Sequence, residues 1–165
     1  MKSYGKMIGR GAFSKVYKNQ GEDFVTIVSN DPAKDCAALF PVCSDHFAKI
    51  ERIGFDGDNY VYRMEYLEKT GKIKENVSLQ AWQFYRLLAK DGWSVKGYHE
   101  IRDWFESLPD CDEKEALLEY VDNFANYCNK SMRFEISPRN VRVKDGKIVF
   151  LDCFFCATVL ESTRK

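Results

Sequence analysis

Glu135, Asn140 and Asp152 lie in one stretch, RFEISPRNVRVKDGKIVFLD, where a carboxylate is followed five residues later by an amide and, after a short gap, by a second carboxylate. An amide oxygen and a carboxylate held together suit a hard cation such as Mg²⁺, which takes oxygen ligands and commonly binds phosphates as well. A loop carboxylate beside them can accept a proton from a hydroxyl. The element that must position them is a hairpin. Val141 and Val143 alternate with Arg142 and Lys144, Asp145-Gly146 supplies a turn of positive φ, and Ile148 to Leu151 reads as the more buried return strand. Two strands closed by that turn bring Asn140 and Asp152 to the same end of the ribbon.

A second candidate set stands near the N-terminus. Residues 7 to 18, MIGRGAFSKVYK, read as strand, glycine turn, strand, with Gly9 and Gly11 two apart and Val16 resuming the alternation. Glycines at such a turn let backbone N–H groups approach phosphate oxygens with no Cβ in the way. The strand that follows, Asp23 to Ser29, is apolar and β-branched.

In their order along the chain these motifs resemble those of the protein kinases. The catalytic loop of that family places an aspartate base five residues before a metal-binding asparagine; here Glu135 stands at the base position, and Pro138 and Asn140 match the loop. Asp152-Cys153-Phe154 replaces the family's second metal motif, and Val16 holds the place of the valine that lies against adenine. The resemblance implies ATP and Mg²⁺ as ligands, with Asn140 and Asp152 on the metal. It also implies adenine contacts from the backbone of about residues 65 to 67, including Glu65 and Leu67. Three departures stand out. Ser14 replaces the usual third glycine, the strand lysine that grips the phosphates is replaced by Ile27 or Val28, and the following helix has no partner glutamate. No apolar side chain substitutes for a cation on phosphate. Lys15 and Lys34 are the candidates to reach in from elsewhere, whereas Lys18 leads away from the turn.

The implied fold is α+β and two-lobed: residues 1–68 as a lobe with a five-stranded antiparallel sheet plus one helix, and residues 69–165 as a truncated, mainly helical lobe. The helix of the first lobe is expected over about Ala33 to Phe47, with Ala37, Phe40 and Phe47 toward the core, Pro41 kinking or splitting it, and Cys36 and Cys43 on one face. A hairpin over residues 49 to 67 turns at Asp56-Gly57-Asp58. After a polar connector, Lys69 to Asn76, the period becomes helical. Leu79, Trp82, Arg86 and Leu87-Leu88 outline one helix; Tyr98, Ile101, Phe105 and Leu108 outline a second, ended by Pro109. A third is capped by Asp112 with Glu115 in the capping-box position, its stripe running Leu117, Val121, Phe124, Cys128. The chain after Asp152 is too short for an activation segment or a peptide-binding platform.

Composition sets outer bounds. Lys plus Arg equals Asp plus Glu at 25 each, so no net field draws the chain to nucleic acid or an anionic membrane. No apolar run spans a bilayer and the N-terminus does not read as a signal peptide, so a cytoplasmic protein is expected. Six cysteines in that setting read as reduced, mostly buried thiols, and Cys153-x-x-Cys156 as a lone CxxC. Among kinase-like proteins the chain is most similar to the small kinases of tailed bacteriophages, including the early phage kinase that acts on host transcription machinery. That similarity implies a host protein, part of the transcription machinery or a defence factor, as partner. Missing the lysine, its acidic partner and a substrate platform, the chain is expected to be a pseudokinase-type regulator with residual ATP and Mg²⁺ binding. The alternatives are an active Ser/Thr kinase using Glu135 as base, and an unrelated α+β interaction protein in which the two motif-bearing segments do not share a cleft.

Overall fold

In the computed structural model, which describes residues 4–163, the chain is α+β: one five-stranded antiparallel sheet, two small two-stranded ribbons and six α-helices. The sheet strands are β1 (Lys6–Arg10), β2 (Ser14–Lys18), β3 (Phe24–Ser29), β4 (Ile50–Asp56) and β5 (Asn59–Glu65), in the order β1-β2-β3-β5-β4. Each strand joins its sequence neighbour by a tight turn except β3 to β4. That connection carries α1 (Pro32–Leu39), which packs against β4. On β3 the alternation puts Val25 and Ile27 on one face, where they meet Tyr62 of β5 in a small core flanked by Val16, Ile50 and Met64.

The remaining strands and α-helices are α2 (Ile73–Asn76), α3 (Leu79–Asp91), α4 (Tyr98–Ser107), α5 (Asp112–Phe124), β6 (Met132–Phe134), β7 (Val141–Lys144), β8 (Lys147–Phe150), β9 (Phe154–Cys156) and α6 (Ala157–Thr163), with a 3-10 turn at Gly92–Ser94 after α3. They enclose the larger core. Its centre is Phe154, stacked on Tyr120 at 4.7 Å between ring centroids and in contact with Phe105, Phe124 and Phe134. The 45% hydrophobic content is spent chiefly here. No helix among the described residues is long and apolar enough to cross a membrane.

The β7–β8 hairpin forms as its alternation and turn dictate, with Asp145 at φ 51° and Gly146 at φ 76°. Several expected elements differ. α1 ends at Leu39, not Phe47: Pro41 cannot continue the hydrogen-bond ladder, and His46 to Ala48 instead run extended beside β8, with Phe150 N–H donating to the His46 carbonyl at 2.8 Å. Phe40 is therefore 51% exposed rather than in the core, and Cys36, buried in the helix, shares no helical face with exposed Cys43. On α3 the buried face is Ala81, Phe84, Tyr85 and Leu88, and Leu79 is 69% exposed. Ser78 explains the shift: its hydroxyl accepts from Ala81 N–H and starts the helix at Leu79 with that side chain outward. α5 begins after Cys111 without a side-chain cap, so Asp112 sits in the first turn, and Cys128 lies beyond the helix end. The polar connector holds one buried residue, Ile73 of α2.

Candidate functional site

The glycine ribbon and the oxygen-bearing hairpin face one cleft of about 1060 Å³. Its upper wall is the β1–β2 turn, Ile8 to Ser14; its lower wall is Glu135, Ser137, Asn140, Leu151 and Asp152. Its apolar lining includes Val16, Ile27, Met64, Leu67 and Leu151. Asn140 and Asp152 both line this cleft, at the end where the hairpin closes on itself: Leu151 N–H donates to the Asn140 carbonyl at 2.9 Å. Glu135 is exposed at the same end, its N–H donating to the Cys153 carbonyl at 2.9 Å.

α1 places a buried cation at this cleft. Lys34 is buried, with its Nζ 2.8 Å from an Asp152 carboxylate oxygen and 3.7 Å from Asp31. Burial alone would push its ammonium toward neutrality; Asp152 and Asp31 outweigh that and hold its pKa above the ordinary lysine value. Asp31 caps the helix, accepting from Ala33 N–H at 2.9 Å, and Pro32 sits at the first helical position where its absent N–H costs nothing. The turn that aims Lys34 is tied to the ribbon. Ser14, at the usual third-glycine position, donates to the Ser29 hydroxyl at 2.8 Å, which accepts from Asp31 N–H at 3.1 Å. Two departures from the expected motifs thus sit in one hydrogen-bonded chain ending at the buried lysine.

Lys15 is exposed, pairs across the sheet with Val28, and does not line the cleft. Lys18 does line it, its ammonium 4.2 Å from the Tyr66 ring centroid, at the end of β2 away from the glycine turn. Asp35, an acid on α1, faces away from Lys34 and accepts from Arg52 at 3.0 Å and the Tyr62 hydroxyl at 3.3 Å. Glu65 and Leu67 border the cleft, but parts of their polar groups are engaged. Glu65 N–H donates to the Lys49 carbonyl, its carboxylate pairs with Lys144, and the Leu67 carbonyl accepts from Arg142 Nε at 3.2 Å.

No protein-family model matches the chain, and no curated protein matches it. The chemistry of the site therefore rests on its own residues. Among the described residues no group of three or more His, Cys, Asp or Glu converges as a metal cage. Asn140 and Asp152 instead offer two oxygen donors at a cleft mouth, with the Asp152 side chain 46% exposed, which fits a Mg²⁺ held jointly by protein and phosphate.

Two contributors were missed from sequence. Asp31 carried a signal, an Asp-Pro pair that marks a helix start. Arg142 carried none: alternation makes it a solvent-facing strand residue, yet its guanidinium bonds the carbonyls of Leu67, Arg139 and Val141 and joins the hairpin to the segment after β5.

Proposed function

We propose that the chain is a small protein-kinase-like domain, with residues 1–68 and 69–165 as its lobes, that holds ATP with Mg²⁺ in this cleft and regulates a host protein in the manner of the small phage kinases. The observation that carries the proposal is Lys34: a buried ammonium at the end of a cleft whose other wall is a glycine turn and whose floor holds Asn140 and Asp152. With one ammonium hydrogen on Asp152, donors remain for a phosphate oxygen. Val16, Ile27 and Met64 exclude water from one end of the cleft, and Mg²⁺, when bound, neutralises phosphate charge beside Asn140 and Asp152.

The glycines support the same assignment. A Cβ at Gly9 would meet nothing closer than Val16 at 3.6 Å, and at Gly11 nothing closer than the Ser14 carbonyl at 4.0 Å, and neither residue has a positive φ. Packing does not require them; a ligand approaching the backbone would.

A phosphotransferase activity is favoured by one further observation, the carboxylate of Glu135 on the same floor as Asn140 and Asp152. There Glu135 accepts the proton of a Ser or Thr hydroxyl while Lys34 orients the phosphates. A thermal-shift titration with ATP and Mg²⁺ tests the binding proposal. Saturation at about 100 times Kd adds about 2.7 kcal/mol to stability, and both Lys34→Met and Gly11→Val abolish the shift while leaving a cooperative transition. No shift in the wild type overturns it. Transfer of label from ATP to a host protein, lost in Asp152→Ala, distinguishes the transferase from the binding-only regulator.

A further inference from the structure

Cys128, just past α5, and Cys156, the last residue of β9, are 28 positions apart in sequence and meet at one hydroxyl. Ser131 Oγ lies 3.3 Å from Cys128 Sγ and 3.1 Å from Cys156 Sγ. The Ser131 hydroxyl therefore bridges the two thiols. Thr158 adds a hydroxyl 3.2 Å from Cys156 Sγ on the exposed side. β6 and β9 hold the arrangement, since Met132 pairs with Cys156 and Ala157 N–H donates to the Ser131 carbonyl at 2.8 Å. Cys153, the other cysteine of the CxxC, has its sulfur 3.9 Å from the Asn140 carbonyl.

We infer that Cys128 and Cys156 are a thiol pair that a peroxide converts to an intramolecular disulfide, fastening β9 and α6 to the end of α5. The roles are asymmetric. Burial would raise the Cys156 thiol, but hydrogen bonds from Cys128, Ser131, Thr158 and the Val159 N–H outweigh it and lower its pKa. Burial and donation to Cys156 push Cys128 up to about 12. Cys156 is thus the more readily ionised of the two and the one that attacks the peroxide: a sulfur–oxygen bond forms, the oxygen–oxygen bond breaks, sulfur is oxidised to the sulfenic acid, and the peroxide leaves as alcohol or water after taking a proton. Cys128 sulfur then attacks Cys156 sulfur, the sulfur–oxygen bond breaks, and hydroxide departs with the Cys128 proton as water. The bond acts on the cleft because Phe155 and Leu160, on the two elements it fastens, line that cleft. It holds whether or not the cleft takes a nucleotide.

The test is peroxide titration of the folded protein carrying Cys43→Ser, which removes the exposed thiol. Remaining thiols are blocked with maleimide, and non-reducing peptide mass spectrometry follows. The expected result is a peptide linking Cys128 to Cys156, loss of two thiols without dimer, and a rise in Tm reversed by dithiothreitol. Ser131→Ala slows the reaction several-fold, and Cys128→Ser leaves a sulfenic acid on Cys156 that dimedone traps. Oxidation that begins at Cys36, Cys111 or Cys153, disulfides only between molecules, or no thiol loss at peroxide levels that oxidise free cysteine would each overturn the inference.

Discussion

Burial, resisted by Lys34 and reinforced by Asp152, lifts the Asp31 carboxyl from its ordinary 3.8 to about 6. A carboxyl whose folded pKa exceeds its unfolded value holds its proton more tightly when folded. Its contribution to stability is therefore complete below about pH 3.8 and is lost as pH rises through about 6. Asp31→Asn keeps an oxygen to accept from Ala33 N–H and removes the charge. In metal-free buffer the wild type should lose on the order of 1–3 kcal/mol relative to the variant between about pH 4 and 7. Urea midpoints across that window measure it, and parallel curves for the two proteins would refute the coupling. Asp31 itself was legible as a helix start. Its place beside Lys34 and Asp152 was not, because residues 31 and 152 are brought together only by packing α1 against α5 and β9.

At the scale of elements, that hairpin is the part most fully written in the sequence. Alternation and the Asp145-Gly146 turn determine its strands, and closure of the ribbon puts Asn140 next to Leu151 with no help from the rest of the chain. Its anchoring is a different matter. Arg142 donates to Leu67, Arg139 and Val141 carbonyls, and Val143 N–H donates to the Thr70 hydroxyl at 2.8 Å, so the hairpin is held to the segment that follows β5. Arg142→Met keeps most of the stem but leaves those carbonyls without the guanidinium, at a cost of about 1–3 kcal/mol. Arg142→Lys should recover less than half of the loss, because an ammonium cannot reproduce the fork. Denaturant unfolding of both variants decides it; full rescue by lysine would mean that charge alone matters. The end of α1 shows the opposite case. Periodicity carries the helix to Phe47, yet Pro41 stops it, and residues 46 to 48 find better hydrogen bonds along β8.

For the molecule as a whole, Phe154 is the residue on which the larger core closes. It is 2% exposed and lies among Tyr120, Phe105, Phe124 and Phe134, which come from α4, α5 and β6. Phe154→Ala should cost about 3–5 kcal/mol, the usual range for a cavity of that size. An equilibrium urea titration gives the value, and a loss below about 1 kcal/mol would show a core able to collapse onto the gap.

Local information in the sequence determined the glycine turn, both hairpins, the amphipathic helices α3, α4 and α5, and the oxygen donors Asn140 and Asp152. Each follows from hydrogen bonding and side-chain period within a dozen residues. The tertiary structure alone decided that Lys34 rather than Lys15 lines the cleft, that Arg142 points to a neighbouring segment rather than to water, and that Cys156 and Cys128 share the Ser131 hydroxyl. These depend on which surfaces pack, and packing is settled by the summed burial of distant apolar residues, a quantity that no short window of sequence contains.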